Sequence, residues 1–556
     1  MLPSGRTSAY GAGTMLRLSD LALPLDHPPQ AVLPAIAARL GVSEAAVLRH
    51  TMVRRGNDAR KRGAIKLVYS FDVELADEAE IAARLAGDPH LRPAPDTAYR
   101  FPTRAPDGWP EGSSAQRPVV IGAGPCGLLA ALVLAQMGLK PIIIERGKAV
   151  RERTKDTWGL WRRGVLEPES NAQFGEGGAG TFSDGKLYSR IKDPRHLGRK
   201  VLEEFVKAGA PPEILTEAHP HVGTFRLVTM VMRLRQTIKA LGGEYRFGTR
   251  VEGFERTDGA ITALLLSTPD GGAERLAARH VVLAVGHSAR DTFERLYEAG
   301  VHIEAKPFAI GVRIEHPQGW IDRARYGQDA GNKLLGPASY ALAHKASNGR
   351  SVYSFCMCPG GRVVAATSEE GRVVTNGMSQ HSRAEFNANS GLVVDISPER
   401  DFPGHPLAGV ALQRELEARA FVAGGSNYHA PGQKVGDFLA GITSQAFGTI
   451  QPSYQPGVKL GDLRECLPAF VTDAIREALP VFGRQMPGYD HADVVMTGVE
   501  TRTSSPVRIT RGADYQSLNT RGLYPAGEGA GYAGGILSAA VDGIKVAEAL
   551  AAGLVK

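Results

Sequence analysis

From Met15 the chain switches between two periodicities. MLRLSDLALPL and IKLVYSFDVEL (Ile65 to Leu75) read as strands, the latter alternating apolar and polar positions, whereas PPQAVLPAIAARLG and ADEAEIAARLAG space their apolar residues as helices do. Residues 15–87 are therefore expected to form a small α+β domain. Within them RRGNDARKR (54–62) sets five basic residues in nine. Such a segment reads as a solvated loop, with an acidic partner or RNA as the functional alternative. From Asp88 to Pro118 there are seven prolines and no period, which predicts a linker over 88–117. Residues 1–14 read as a disordered leader, with Met15 an equal candidate for the start.

At Pro118 the pattern changes. In RPVVIGAGPCGLLAALVLAQMGLKPIIIERG an apolar run, Val119 to Ile121, leads into Gly122-x-Gly124-x-x-Gly127. A helical stretch, Pro125 to Met137, follows, and then a second apolar run, Pro141 to Ile144, ending at Glu145. Strand, glycine turn, helix and acid-ended strand make a dinucleotide-binding unit. Gly122 would permit the tight turn, Gly124 the approach of backbone to a pyrophosphate, and Gly127 the close packing of helix on strand. The helix N-terminus offers free N–H groups and partial positive charge to phosphates. Glu145 stands where a carboxylate accepts hydrogen bonds from a ribose diol. The same glycine spacing recurs at Gly175, Gly177, Gly180 and at Gly529, Gly531, Gly534, but only the first has the flanking elements.

Length and composition narrow the class. At 556 residues the chain exceeds what one core supports, since cores stop growing near ~250–300 residues. An apolar fraction of 43% is ordinary, and no apolar run reaches the ~18 residues of a membrane span. A net charge of +7 is mild for this length and argues against a dedicated nucleic-acid binder. Four cysteines without a C-x-x-C pair, behind an N-terminus lacking an apolar signal core, point to a reducing cytoplasm.

The later glycine runs make sense if distant segments hold one nucleotide. On RPVVIGAGPCGL with IIIERG, QFGEGGAGTFSDGKL, FCMCPGGRVV, VVTNGMS, ETRTSSPVRI and GLYPAGEGAGYAGGILSAAVDG, the chain resembles the glutathione-reductase-like FAD flavoproteins. Within them it is most similar to the uncharacterised FAD-dependent dehydrogenases, NAD(P)/FAD-dependent oxidoreductases. The resemblance implies that Gly122, Gly124 and Gly127 bind the FAD pyrophosphate, that Glu145 binds the adenosine ribose, and that Val251 meets the adenine through its backbone; Pro125, Cys126 and Arg146 are counted with the cofactor-binding residues, Cys126 as a small residue that fits the glycine turn. It brings Gly286 of VVLAVGHSA near the cofactor. Gly527 and Glu528 of GLYPAGEGAG would lie at the ribityl-pyrophosphate region, with Glu528 standing where many relatives have Asp. Gly534, Gly535 and the helix from Ile536 would face the flavin pyrimidine ring. The loop QFGEGGAGTFSDGKL, with Gly180 and Ser183, would lie against the isoalloxazine, the alternative being a mobile surface loop.

Catalytic residues are not determined by these motifs. Candidates are Asp184, Lys186, His287 and the Cys356-Met357-Cys358 pair, the last read as more often structural than redox-active because a C-x-C disulfide closes a small ring. Arg502 and Arg508 either clamp an anionic substrate or face solvent. No metal is assigned. The expected architecture is α/β: a Rossmann-type FAD domain from discontinuous segments (118–300, with a small insertion over 190–220, and 491–556), with a substrate or cap domain at 301–490. The expected function is hydride transfer between non-covalent FAD and an organic small molecule. An FAD-dependent RNA-modifying protein and a non-catalytic flavin electron carrier are the alternatives. NAD(P)H is expected only as a transient donor, because residues 300–490 hold no second glycine fingerprint after a strand.

Overall fold

The computed structural model describes residues 15–110 and 116–555. The leader over 1–14 and residues 111–115 of the expected linker lie outside the described residues.

The N-terminal unit is a four-stranded antiparallel sheet of β1 (Leu16–Pro24), β2 (Val47–Asp58), β3 (Lys66–Leu75) and β4 (Leu91–Pro93), in the order β2-β3-β1-β4. Helices α1 (Val32–Leu40) and α2 (Glu78–Arg84) bury Ile36, Leu40 and Ile81 in its core. Two expectations are corrected here. The basic segment 54–62 is not simply a loop: its first five residues finish β2, and Arg55 pairs with Glu217. As an edge strand with only its first residue buried, β2 carries no alternation to read. Nor is 88–117 a free linker, since β4 joins the sheet and Tyr99 and Phe101 pack on the next domain, with the Tyr99 hydroxyl donating to Glu548 at 2.9 Å.

The next domain opens with β5 (Val119–Ile121), α3 (Pro125–Gln136) and β6 (Ile142–Glu145). Ten consecutive residues of α3, Cys126 to Ala135, are buried, so this helix lies inside the domain rather than along its surface. β7 (Glu244–Phe247) extends the sheet, and β8 (Arg250–Thr257), β9 (Ala260–Ser267) and β10 (Ala273–Ala277) make an antiparallel sheet of their own before β11 (Val281–Leu283) returns. The helix Leu197–Lys207, in the expected insertion, contributes Leu197, Val201 and Phe205 to the domain core and is no appendage.

β12 (Ile303–Ala305) leads into the cap, built on β13 (Phe308–Pro317), β14 (Ala343–Lys345), β15 (Ser351–Cys358), β16 (Gly361–Ala365), β17 (Thr375–Ser379), β18 (Asn387–Ile396), β19 (Ala430–Lys434), β20 (Val458–Leu460) and β21 (Val495–Glu500). Seven of these form one sheet, β14-β15-β18-β13-β21-β19-β20, while β16 and β17 pair separately. Because β21 sits between β13 and β19, the cap sheet runs past the expected boundary at 490. β22 (Val507–Ile509) then pairs with β12, and β23 (Leu523–Pro525) completes an all-parallel sheet in the order β23-β11-β5-β6-β7. The C-terminal helix Ile536–Leu554 lies on α3 so closely that a Cβ on Gly543 would stand 2.2 Å from the Cys126 carbonyl oxygen.

Candidate active site

The first glycine turn is shaped by backbone contact at two of its three glycines. Gly122 has φ +97°, and a Cβ there would lie 2.4 Å from the Ala284 carbonyl oxygen; one on Gly127 would lie 1.9 Å from the Gly122 carbonyl oxygen. Gly124 differs. A Cβ on it would meet only the Gly178 Cα, at an ordinary 3.6 Å, and the residue lines a cavity of about 690 Å³. The packing of the fold does not require glycine at 124.

Glu145 ends β6 on the cavity wall, 5% exposed. Its carboxylate accepts the N–H groups of Ala123 (2.8 Å), Gly147 (2.9 Å) and Gly175 (3.0 Å). A carboxylate has about four lone-pair sites, so one remains free. Arg146 is held between Glu169 (2.7 Å) and Asp291 (2.9 Å) and stacks on Phe174 at 4.1 Å. The segment 173–187 is not a surface loop, since Phe174 to Gly177 are buried. Gly177 donates to the Ala123 carbonyl at 2.8 Å, and a Cβ on Gly178 (φ +60°) would stand 2.8 Å from the Gly124 Cα. Packing thus demands its glycines: Gly178 against the other glycine turn, Gly175 against Arg153 (a Cβ would stand 2.4 Å away) and Gly177 against the Thr181 hydroxyl (2.1 Å).

The cavity lies between the parallel sheet and the cap. Of the residues singled out in the sequence, Gly122, Gly124, Pro125, Cys126, Glu145 and Arg146 line it, as do Gly180, Ser183, Val251, Gly286, Glu528, Gly534, Gly535 and Ile536. So do the catalytic candidates Asp184, Lys186, His287 and Cys356. Gly127, Gly527 and Cys358 do not. The Gly527 N–H donates to Asp542 at 2.7 Å, and a Cβ on it would meet the Cys126 Cβ at 2.8 Å, so its glycine serves packing. Gly534 and Gly535 meet nothing within 4 Å at their Cβ positions, so the space before the C-terminal helix is clear of side chains there, while the Gly534 N–H donates to the Ser538 hydroxyl at 3.1 Å.

Burial pushes the Glu528 carboxyl up to about 7, against the hydrogen bond from the Gly535 N–H (3.4 Å) and the Lys306 charge. His287, 3.9 Å from Glu528, is pushed down to about 4 by burial and by the charges of Arg502 and Arg290. It is neutral at physiological pH. Asp184 stays below its ordinary range despite burial, because Arg383 grips both oxygens, at 3.0 and 2.5 Å.

The partners of several arginines at the site are far from them in sequence. Arg313, in the middle of β13, binds both Glu500 oxygens (2.8 and 3.1 Å) and the Cys356 carbonyl (3.1 Å). Arg502 neither faces solvent nor stands free as a clamp: it shares the fully buried Glu417 with Arg290. Arg508 is exposed. At the cavity mouth Arg190 and Arg325 are exposed lining residues without an ion pair among the described residues, beside Tyr188 and His219.

A family described as FAD dependent oxidoreductase matches residues 118–384, and one described as FAD-dependent protein, C-terminal domain-like, matches 307–503; a domain of unknown function matches 15–74. A protein of Clostridium beijerinckii called "Uncharacterized protein" is 46% identical over 535 residues, covering 96% of this chain and 98% of the relative. Among solved structures, the flavin-dependent brominase Bmp2 is 14% identical with a TM-score of 0.35, covering 79% of this chain and 80% of that one. Glycine oxidase from Bacillus cereus is 12% identical with a TM-score of 0.32, covering 79% and 98%. These two structural likenesses are distant and nothing rests on them. The family matches agree with the glycine turn, the acid-ended strand and the parallel sheet: the chain belongs to the FAD-dependent oxidoreductases.

Proposed function

We propose that the protein is a dehydrogenase passing a hydride between non-covalently held FAD and an anionic organic small molecule. The observation that supports it is one cavity with the glycine turn on one wall and Phe355 to Met357 of the cap on the other, room for cofactor and substrate in a shared space. The residues fit FAD: the open Cβ side of Gly124 suits a pyrophosphate, the spare lone pair of Glu145 a ribose, the Val251 backbone the adenine. The clear space before the helix at Gly534 and Gly535 suits a ring that gains negative charge. When bound, FAD supplies the two-electron chemistry. The protein's part is to hold, orient and exclude water. Glu528, with a carboxyl near neutrality, can hold or release a proton beside the Gly535 N–H. Arg190 and Arg325 give the mouth positive charge that favours a carboxylate or phosphate substrate.

A small-molecule partner is favoured over RNA because, within the basic segment, Arg55 is paired with Glu217 and Arg60 with Asp58. Among the described residues no helix is long and apolar enough to cross a membrane, and the four cysteines are free, which suits a reducing cytoplasm. Two measurements test the reading. Acid precipitation should release all flavin as FAD; flavin retained on the polypeptide would contradict non-covalent binding. Anaerobic screening of metabolites should find anions that bleach the flavin, with KM raised roughly tenfold in Arg190→Gln/Arg325→Gln at unchanged FAD content. Bleaching by neutral compounds alone, indifferent to these arginines, would refute the anionic substrate.

A further inference from the structure

We propose that Cys356 and Cys358 form a dithiol–disulfide couple that exchanges two electrons with FAD in the cavity. The inference rests on FAD binding and not on the organic substrate.

The backbone of β15 is the first observation. Phe355 pairs with Gly391 and Cys358 with Asn389, so three steps on β15 answer two on β18: an extra residue is inserted at Cys356-Met357. Cys356 takes φ +45°, a conformation costly for any residue but glycine. In an unbroken strand residues i and i+2 stand about 6.6–6.8 Å apart at Cα, the far limit of what a disulfide bridges. A bulge with a left-handed residue shortens and re-aims that pair.

Charge is the second. Two cations grip the bulge: the Cys356 carbonyl accepts from Arg313, and the Met357 carbonyl from Lys186. Glu500 balances Arg313 and Arg383 balances Asp184, but Lys186 has no carboxylate within ion-pair distance among the described residues. A thiolate at Cys356 supplies the missing negative charge. Accordingly, the neighbouring Cys358 thiol, with the Lys186 and Arg313 charges, holds the Cys356 thiol well below its ordinary range against burial, while Cys358 is pushed well above; the Cys358 thiol itself donates to the Cys356 carbonyl at 3.3 Å. One nucleophilic sulfur and one proton-bearing sulfur are what disulfide formation needs.

Position is the third. Cys356 lines the cavity, and Cys358 lies fully buried behind it, away from soluble thiols. The step balances: the Cys356 and Cys358 sulfurs join, the Cys358 S–H bond breaks, and FAD takes up one proton and two electrons. The reverse step lets reduced flavin open the disulfide, placing a thiolate where a substrate in the cavity can reach it.

FAD-loaded protein oxidised with diamide and desalted should consume two reducing equivalents beyond those of its flavin in anaerobic dithionite titration. After alkylation, the peptide spanning β15 should carry two labels in reduced protein and none in oxidised protein. Cys356→Ser and Cys358→Ser should each abolish the extra equivalents while keeping flavin, and Lys186→Met should slow Cys356 alkylation at neutral pH by roughly tenfold. A wild type that takes up only the flavin's equivalents, full labelling after oxidation, or extra equivalents surviving in both serine variants would overturn the couple. No organic substrate is added, so these outcomes are independent of whether one is found.

Discussion

The Glu145 carboxylate accepts the backbone N–H of Gly175 at 3.0 Å, joining the end of β6 to a glycine loop thirty positions along the chain. The residue expected to hold the ribose therefore also fixes the second glycine loop against the first. Glu145→Ala should do two things. Three backbone N–H groups lose a charged acceptor, each worth about 1–3 kcal/mol, so the apoprotein should unfold at lower denaturant, and FAD affinity should fall roughly ten- to a hundredfold. Glu145→Gln, which keeps the shape, should lose affinity with a smaller loss of stability. Flavin titration and apoprotein unfolding check both; wild-type values for Glu145→Ala in the two assays would remove the residue from the site.

The two glycines of the first turn should fail in different ways. At Gly127 a methyl group would stand 1.9 Å from the Gly122 carbonyl oxygen, so Gly127→Ala should give insoluble or severely destabilised protein. At Gly124 the nearest protein atom is 3.6 Å away, so Gly124→Val should fold and be colourless. Circular dichroism and flavin absorbance separate the outcomes. A folded Gly124→Val protein with stoichiometric FAD would show that nothing approaches that backbone.

The buried carboxyl of Glu528 predicts a pH dependence with a definite sign. Its folded value of about 7 lies above its ordinary 4.5, so the contribution is fully present below pH 4.5 and lost as pH rises through 7. Glu176, also pushed up to about 7 by burial, acts in the same direction, so the difference between wild type and Glu528→Gln isolates the site. Apoprotein unfolding in urea at pH 5 and pH 7.5 should show a smaller stability drop in the variant. Equal drops would mean that Glu528 is ionised in the folded protein.

What sequence showed and what it hid divides by distance along the chain. The unit β5-α3-β6 was legible because its apolar runs, its three glycines and its acid fall within one short stretch whose period changes at each boundary. β13 was not: all ten of its residues are buried, so it has no alternation, and Arg313, Glu315 and His316 interrupt what would otherwise read as an apolar run. Those three charged or polar residues in one buried strand were the available signal for the cap side of the site. The pairing of Arg290 and Arg502 with Glu417 spans 127 and 85 positions, and no local pattern encodes a partner so far away. The edge strand β2 failed for the opposite reason, since with only its first residue buried it leaves only charge to read.

The electron donor can be argued from the cap. A dedicated nicotinamide domain needs a parallel strand-helix-strand unit whose first turn is a glycine cradle for the pyrophosphate. In the cap sheet the one parallel pair is β19 with β20, and the helix that follows β19, Val435–Ala440, starts from the turn Lys434-Val435-Gly436 with no glycine fingerprint. Lys434 donates its N–H to the Ser444 hydroxyl at 2.9 Å and Val435 its own to the Val494 carbonyl at 2.8 Å, so the backbone donors that would hold a phosphate are already used. A nicotinamide must then reach the flavin by docking in the shared cavity, where the mouth offers Arg190 and Arg325 but no built nucleotide cleft. Stopped-flow reduction by NADH and NADPH should be slow or need high concentrations, with little preference between the two. Rapid reduction saturating at micromolar NADPH, with strong discrimination against NADH, would establish a nucleotide site that this cap does not display.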